Sequence, residues 1–268
     1  MRKGYVMKRL SLILASLLVI LSAGCTKTAP DKLPDGTAGT TAAVTEPSTQ
    51  ETTEAPVTDE PAGKSGLYIF NETITDGGAL TTVSYPFYGD GEHDAFDVAM
   101  RNYAMHKYTA SGAIPGDGAV YEITDFDITL ETENFVSAVV RGRIFSPGAA
   151  HDTIVAYTIN ADTRTGKVYT SDELIGDLDA LKDGFTGGRF QQNMGLTDVL
   201  SEITAEDIVQ SWRSDYGVFP NVFFTEKSFG VLPELAYAIG GYAGFVIPYA
   251  DAGEMLNDTA KGLCGVDR

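Results

Sequence analysis

Three histidines are the side chains best suited to metal binding, but their spacing does not favour a metal site. His93 and His106 fall in one predicted helix, thirteen residues apart, which separates them by about 20 Å along the helix axis. They cannot share an ion, and no HxxxH or CxxC pattern is present. A site that combines His151 with one of them stays open, but we predict no metal and no cofactor. His151, at the start of a predicted strand, either satisfies backbone groups there or belongs to a binding site.

Two carboxylates, Asp125 and Asp127, lie two residues apart on a predicted strand, so they face the same side of it. Such a pair can bind calcium or perform acid–base catalysis. The chain has 37 acidic residues, however, so chance supplies many such pairs, and a solvated sheet face is the plainer interpretation. The segment from Asn160 to Asp162 resembles a calcium loop, but Arg164 stands at a ligand position, and we interpret it as a hairpin turn.

Aromatic residues cluster in a glycine-rich segment near the end of the chain: Tyr237, Tyr242, Phe245 and Tyr249. They could form a surface that binds a glycan or a protein. Phe245, Ile247 and Tyr249 occupy alternate positions as on one face of a strand, so core positions are the plainer interpretation for the group. Tyr237 and Tyr242, together with His151, are the candidate ligand-binding residues.

Other catalytic motifs are absent from the sequence. It contains no GxSxG nucleophile elbow, no phosphate-binding loop and no dinucleotide fingerprint. The pair Gly240-Gly241 lacks the following helix and basic residue that phosphate binding would need. We therefore expect that the chain is not an enzyme.

The secondary-structure elements that must position these residues are predicted from the spacing of apolar residues, which shows a strand period in some segments and a helix period in others. Apolar residues alternate over 125–131, 136–144 and 151–161, which predicts three strands of an antiparallel meander. Gly166 closes the turn that follows the third strand, where glycine can take a positive φ. Strand patterns return at 222–224 and 244–247.

Helical patterns are fewer than strand patterns. They predict helices over 92–107, from an N-cap at Ser171, and from Thr204 through Tyr216 with Asp207 completing a capping box. Strands and helices do not alternate regularly as in βαβ units. The sequence therefore predicts an α+β fold, an antiparallel sheet meander with a few packed helices.

Residues 1–24 predict a lipoprotein signal peptide. Four basic residues precede an uncharged run from Leu10 to Leu21, which is too short to span a hydrocarbon core of about 30 Å. The ending Ser22-Ala23-Gly24-Cys25 is similar to the bacterial lipobox, although an aliphatic residue is usual where Ser22 stands. Cys25 is then expected to carry a diacylglyceryl anchor that holds the protein on the extracytoplasmic face of the cell membrane. A cleaved secretory signal followed by a free cysteine is the alternative.

The rest of the chain divides into a predicted stalk and a predicted domain. Residues 25–63 begin with the lipidated cysteine and continue as a disordered stalk, with ten threonines, five prolines and no aromatic residue. Residues 64–268 are long enough for one folded domain. Without residues 1–24 the chain has 37 acidic and 15 basic residues, a formal charge of −22. This charge argues against a nucleic-acid partner and favours cations or basic proteins.

Several segments of the domain resemble the RsiV-like family of extracytoplasmic domains. They are Gly148 to His151, Asn160 to Lys167, Ser171 to Leu174 and a closing stretch from Phe224 to Tyr249, and the resemblance spans residues 67–258. The resemblance implies a sensing or binding domain, since the family includes the ectodomain of a lysozyme-sensing anti-sigma factor and a domain attached to a peptidoglycan deacetylase. The chain departs from the family at Ala238 and at Gly240-Gly241, where a glutamate and an Ala-Pro pair are usual.

Three hypotheses of function follow. The first is a surface-anchored, non-catalytic binding module for lysozyme, another cationic protein or peptidoglycan. The second is an envelope hydrolase or deacetylase that uses Asp125 and Asp127 with His151 nearby. The third is an accessory lipoprotein in envelope assembly. We expect the first.

Overall fold

A computed structural model describes residues 52–54, 66–76, 79–110, 120–195 and 197–266 of the chain. The predicted signal peptide, Cys25 and most of the predicted stalk lie outside these residues, so the lipid anchor and the boundaries at 24 and 63 stay predictions. Strands and helices occur together in the described part, which confirms the α+β class. None of the helices described is long and apolar enough to cross a membrane.

The described residues contain ten strands: β1 (Thr52–Glu54), β2 (Tyr68–Asp76), β3 (Ala79–Phe87), β4 (Val120–Glu131), β5 (Phe135–Phe145), β6 (Thr153–Asp162), β7 (Gln191–Gly195), β8 (Asn221–Phe224), β9 (Ser228–Leu232) and β10 (Ala243–Pro248). The first six form a large sheet in chain order, and the other four form a small sheet in the order β7-β10-β9-β8. Neighbouring strands are antiparallel except β3 and β4, which are parallel. The predicted meander is confirmed as β4, β5 and β6.

Helices in the described ranges are α1 (Asp94–Ala110), α2 (Leu178–Thr186), α3 (Ala205–Val209), α4 (Tyr249–Ala252) and α5 (Asp258–Cys264). Helix α1 connects the parallel strands β3 and β4, because a parallel pair needs a long crossover. Side chains of Asp177, Thr204 and Asn257 accept hydrogen bonds from the first turns of α2, α3 and α5.

Strand β1 lies inside the segment predicted as a stalk. Its residues pair with Glu72 to Ile74 of β2 in an antiparallel register. Without β1, β2 would be the edge of the sheet, and its outward N–H and C=O groups can pair with an extended neighbour whatever that neighbour's hydrophobicity. Composition therefore gave no sign of this strand.

Strand β5 lies between two layers, because its successive side chains point to opposite faces. Val136, Ala138 and Val140 pack in the core beneath α1, with Phe96 and Met100 of that helix. Val139 on the other face packs against Phe223 and Leu232 of the small sheet. The large sheet is therefore covered by a helix on one face and by the small sheet on the other.

The far face of the small sheet carries the largest core. Phe224, Phe229 and Phe245 point into it and meet helices α2, α3 and α5. Phe185 of α2 stands nearly perpendicular to both Trp212 and Phe245, with ring centroids 5.3 and 5.0 Å apart, in the edge-to-face arrangement that aromatic pairs favour.

The helix predicted from Ser171 is interrupted in the structure. A short 3-10 turn covers Ser171–Glu173, and α2 starts only after Asp177. Between them, the backbone N–H groups of Gly176 and Asp177 donate to the carbonyls of Met255 and Glu254. This pairing takes the donors away from a continuous helix.

The helix predicted from Thr204 through Tyr216 is too long. The N-cap at Thr204 is confirmed, because its hydroxyl accepts from the N–H of Asp207, but α3 ends at Val209, and Tyr216 is 70 % exposed. Arg213 and Val218 exchange two backbone hydrogen bonds of 2.7 and 2.9 Å. They close a tight loop that turns at Gly217, whose φ of 67° ends any helical run.

Candidate functional site

The predicted site residues His151, Tyr237 and Tyr242 lie together at one cleft of the domain. The cleft has a volume of about 350 Å³ and lies on the large sheet, under the loop that joins β9 to β10. It is lined by Glu122, Thr124, Asp125, Arg141, Gly142, Arg143, Asp152, Ile154, Tyr237 and Tyr242. His151 stands beside it with its ring stacked on that of Tyr237. Residues more than a hundred positions apart in sequence thus share one site.

A β-bulge in β4 sets which side chains face the cleft. Glu122 pairs with Arg143 and Asp125 with Arg141, so Ile123 and Thr124 together oppose the single residue Gly142. The extra residue shifts the alternation, and Asp125 and Asp127 join Glu122 on one face. A Cβ on Gly142 would lie 2.3 Å from the carbonyl oxygen of Glu122, so the bulge needs glycine there.

Arg141 holds the two aspartates that the sequence singled out. Its Nε and Nη2 donate to the carboxylate of Asp125 at 2.9 and 2.8 Å, and Nη2 also donates to Asp127 at 2.7 Å. The Arg141 side chain is only 12 % exposed, whereas those of Asp125 and Asp127 are 61 % and 54 % exposed. Hydrogen bonding to Asp125 is the main cause that raises the pKa of the Arg141 guanidinium.

A second guanidinium, that of Arg143, also lies between two carboxylates. Its nitrogens are 3.9 Å from Glu122 and 3.7 Å from Asp152. These are ion pairs at longer range than a hydrogen bond; the side chains of Arg143 and Glu122 are more than half exposed, and that of Asp152 is partly buried. Counted with Asp125 and Asp127, four carboxylates share two guanidinium groups. The cleft region is therefore acidic, like the chain as a whole.

The loop between β9 and β10 covers the cleft with tyrosines. A 3-10 turn at Tyr237–Ile239 is followed by Gly240 and Gly241, both with positive φ. A Cβ on Gly241 would lie 2.8 Å from the side chain of Ile154, so the loop packs tightly on β6. Tyr242 lies near Arg141, whose guanidinium carbon is 5.8 Å from the ring centroid.

His151 and Tyr237 form a stacked pair at the mouth of the cleft. Their ring centroids are 4.1 Å apart and the ring planes differ by 9°. Nδ1 of His151 is 3.0 Å from the carbonyl oxygen of Asp152. His151 thus contacts backbone at the entrance of β6, as one interpretation from the sequence expects, and its place in a binding site stays a prediction. Tyr237 is 49 % exposed, with one face of its ring covered by His151.

The remaining candidates lie elsewhere. Phe245 is fully buried in the core of the small sheet, and Tyr249 packs against the same core and donates its hydroxyl to the carbonyl of Thr225 at 2.7 Å. His93 stacks on Tyr88 in the loop before α1. Cys264 packs against the small-sheet core. Within the ranges described, no group of three or more His, Cys, Asp or Glu residues could hold a metal ion.

Sequence reasoning missed the four residues that complete the charged lining: Glu122, Arg141, Arg143 and Asp152. One sequence signal could have indicated the bulge that turns part of this charged lining to the cleft. The buried apolar positions of β4 change from odd to even between Ile123 and Phe126, which is typical of an inserted residue in a strand. The contact between β6 and the loop that carries Tyr237 is non-local, and no local pattern indicates it.

Comparisons with known proteins identify structural relatives only. No protein-family model matches the chain, and no curated protein matches it. A member of the DUF3298 family from Bacteroides fragilis matches 81 % of this chain and 94 % of its own chain, with 14 % identity and a TM-score of 0.43. A DUF3298 family protein from Pseudomonas aeruginosa matches 80 % of this chain and 97 % of its own, with 14 % identity and a TM-score of 0.41. Both of these solved structures are DUF3298 family proteins, and the RsiV-like assignment stays a prediction.

Proposed function

We propose that the chain is a surface-anchored lipoprotein whose cleft binds a cationic ligand at the extracytoplasmic face of the membrane, with a lysozyme-like protein as the first candidate partner. The observation that carries this proposal is the pair of guanidinium groups, each shared between two carboxylates, beside a half-exposed tyrosine. The anchor rests on the predicted lipidation of Cys25, and the choice of lysozyme rests on the RsiV-like resemblance.

The geometry of Asp125 and Asp127 supports binding rather than hydrolysis. A general acid is a carboxyl group that keeps its proton, typically in an apolar pocket. Both aspartates are instead more than half exposed, and both contact Arg141. Because Arg141 is committed to these two carboxylates, it is not available to bind an anion. Oδ1 of Asp127 and the second lone pairs of the Asp125 oxygens can still accept from a cation in solution.

The tyrosines add a second kind of attraction for a cation. Lysine and arginine side chains bind over the face of a tyrosine ring, and this adds to Coulomb attraction when the site excludes water. Tyr237 and Tyr242 supply such faces next to the carboxylates. An exposed acidic site also attracts basic proteins over a distance of about a Debye length, which is 8–10 Å near physiological salt.

Calorimetric titration of lysozyme into the full-length chain in detergent tests the proposal. We expect binding at low salt that weakens at least about tenfold when sodium chloride is raised from about 25 to 300 mM, because screening acts on exposed charges. Asp125→Asn combined with Asp127→Asn should weaken binding about tenfold or more. The matched control is Glu202→Gln with Glu206→Gln, which removes the same charge from exposed residues that do not line the cleft.

Two outcomes would contradict the proposal. One is the absence of binding at low salt. The other is an equal effect of both double variants, which would mean that lysozyme responds to net charge and not to the cleft. Urea unfolding of each variant checks that the fold is intact.

A peptidoglycan fragment is the second candidate ligand, favoured by the half-exposed ring of Tyr237 beside carboxylates that can accept hydrogen bonds from sugar hydroxyl groups. Titration of muropeptides against the chain and against Tyr237→Leu tests it. Binding that does not depend on Tyr237 would remove this candidate.

A further inference from the structure

The backbone of β6 has an outer edge, because β6 is the last strand of the large sheet. The N–H and C=O of one residue in an antiparallel strand point to the same neighbouring strand, and those of the next residue point to the opposite side. The carbonyl of Thr158 accepts from the Tyr103 hydroxyl, and that of Asn160 accepts from the N–H of Tyr169. Even-numbered residues of β6 therefore point away from β5. Ile154 and Ala156 belong to this outward set, since the pairing with β5 has no bulge.

Among the described residues, the backbone groups of the outer edge find partners over its second half only. Asp162 and Asn160 pair with the segment after the turn, and Thr158 bonds to Tyr103 of α1. Lys107 of the same helix lies over the ring of Tyr157, with Nζ 5.8 Å from the ring centroid, so α1 contacts β6 at this end of the strand. Across the described residues, nothing bonds to the backbone N–H or C=O of Ile154 and Ala156. Within the part of the chain that the structure describes, these four consecutive backbone groups at the first half of β6 thus have no hydrogen-bond partner.

This open edge lies beside the acidic cleft. Ile154 pairs with Arg143 and Ala156 pairs with Arg141, so both side chains share the face that carries the carboxylates. Ile154 itself lines the cleft. A strand added at this edge would place alternate side chains on the same face, one strand spacing of about 4.8 Å beyond Ile154.

We propose that the open edge of β6 binds an extended polypeptide segment as an added strand, with a basic side chain of that segment in the acidic cleft. The added strand bonds to the outward N–H and C=O groups of Ile154 and Ala156, and the basic side chain meets the carboxylates around Arg141 and Arg143. This rests on the proposed function, since it uses the same cleft, and it specifies the ligand as an extended segment of a basic protein. Main-chain pairing supplies affinity in such complexes, and the pocket supplies specificity.

A seven-residue peptide of alternating threonine and valine with one central arginine is the probe, titrated into the full-length chain in detergent. Two further versions carry two backbone N-methyl groups each. In one version the methylated residues are odd-numbered, and in the other they are even-numbered. Only one parity faces β6, so we expect one version to bind about tenfold more weakly and the other to stay within about twofold of the parent. A slip by one residue cannot rescue binding, because it would turn the arginine to the opposite face. Citrulline in place of arginine should also weaken binding about tenfold.

The outcomes separate this inference from the proposed function. If citrulline weakens binding but neither N-methylated peptide does, strand addition is wrong and cation binding in the cleft stands. If both N-methylated peptides lose affinity equally, the loss does not depend on which backbone N–H groups face β6, and strand addition is again wrong. If the parent peptide does not bind, the inference fails, and the lysozyme titration alone decides the proposed function.

The chain itself offers two further readouts. In hydrogen–deuterium exchange resolved at single residues, the amides of Ile154 and Ala156 should exchange fast in the free chain and at least about tenfold more slowly with the peptide, whereas Val155 should be protected in both states. Slow exchange of the first two in the free chain would contradict an open edge. Ala156→Pro removes an outward N–H without removing a bond to β5, so it should fold and bind the peptide about tenfold more weakly. If it does not fold, the peptide series still decides.

Discussion

At the scale of single residues, the cleft depends on Arg141 being an arginine. The guanidinium is mostly buried, yet it reaches two carboxylates on the surface with two of its nitrogens. A lysine would present one compact charge in place of a planar fork, and it could not hold two carboxylates in fixed positions. The strand pairing of Arg141 with Asp125 makes the geometry possible, and Gly142 beside it makes the pairing possible.

Gly142→Ala should destabilise the fold. The new Cβ would meet backbone atoms of Glu122 and Ile123 at 2.3 and 2.5 Å, and overpacking of this kind costs about 1–3 kcal/mol. Urea unfolding measures the change.

Gly262→Ala is the matched control. Gly262 lies in α5 with no atom within 4 Å of its virtual Cβ, so alanine should stabilise by about 0.5–1 kcal/mol. Equal effects of the two substitutions would contradict the close approach at the bulge.

At the scale of elements, two buried side chains join the two sheets. The Asn160 amide donates to the carbonyl of Val222 at 2.8 Å, and the Ser137 hydroxyl accepts from the N–H of Phe224 at 2.9 Å. Ser137 in turn donates to Asn160 at 2.8 Å. Strand β8 is an edge strand of the small sheet, and these side chains satisfy its outward backbone groups in place of a further strand.

Asn160→Ala should cost about 1–3 kcal/mol of unfolding free energy, because it leaves the buried carbonyl of Val222 without a donor. Asn193→Ala, at an exposed position of β7, is the control and should stay within about 0.5 kcal/mol of the parent. Urea unfolding of both variants measures the difference. A loss at Asn160 no larger than at Asn193 would mean that β8 is held by apolar packing alone.

The elements that could be predicted are those with a strict local period. Alternation predicted the meander, and the positive φ expected at Gly166 is confirmed at 69°. The bulge at Ile123-Thr124 was missed because it lies between two runs that each alternate correctly. Interruption of the helix after Ser171 depends on backbone pairing with Glu254 and Met255, about eighty residues away, and no local pattern carries that information.

The site was predictable only as a set of separate residues. His151, Tyr237 and Tyr242 were singled out, but their meeting depends on Gly241 lying against Ile154, a contact between the loop and β6. Arg141 and Arg143 read in sequence as the polar face of a strand. Only the packing of the small sheet over that face makes it one wall of a cleft.

At the scale of the whole molecule, the dominant property is negative charge. Residues 64–268 alone contain 30 acidic and 13 basic residues. Self-repulsion at such a charge destabilises the compact state while it attracts basic partners. Salt should therefore stabilise the folded state and weaken the binding of basic partners.

Raising sodium chloride from about 25 to 300 mM should stabilise the chain by on the order of 1 kcal/mol, or about 2–4 °C in Tm, because it screens this repulsion. Scanning calorimetry across a salt series measures the shift, and the lysozyme titration over the same series should show weaker binding. A Tm that falls with salt would mean that specific ion pairs outweigh the net charge.

The order of strands in the large sheet sets the distance between β1 and the proposed docking edge at β6. Strands β1 and β6 are its two outermost strands, separated by five strand spacings, or about 24 Å. If Cys25 carries the lipid, the tether joins the sheet at β1, across its full width from the edge that we propose to be the docking edge. A segment that adds to β6 would then lie at the opposite edge of the sheet from β1 and would not compete with β1 for its pairing with β2.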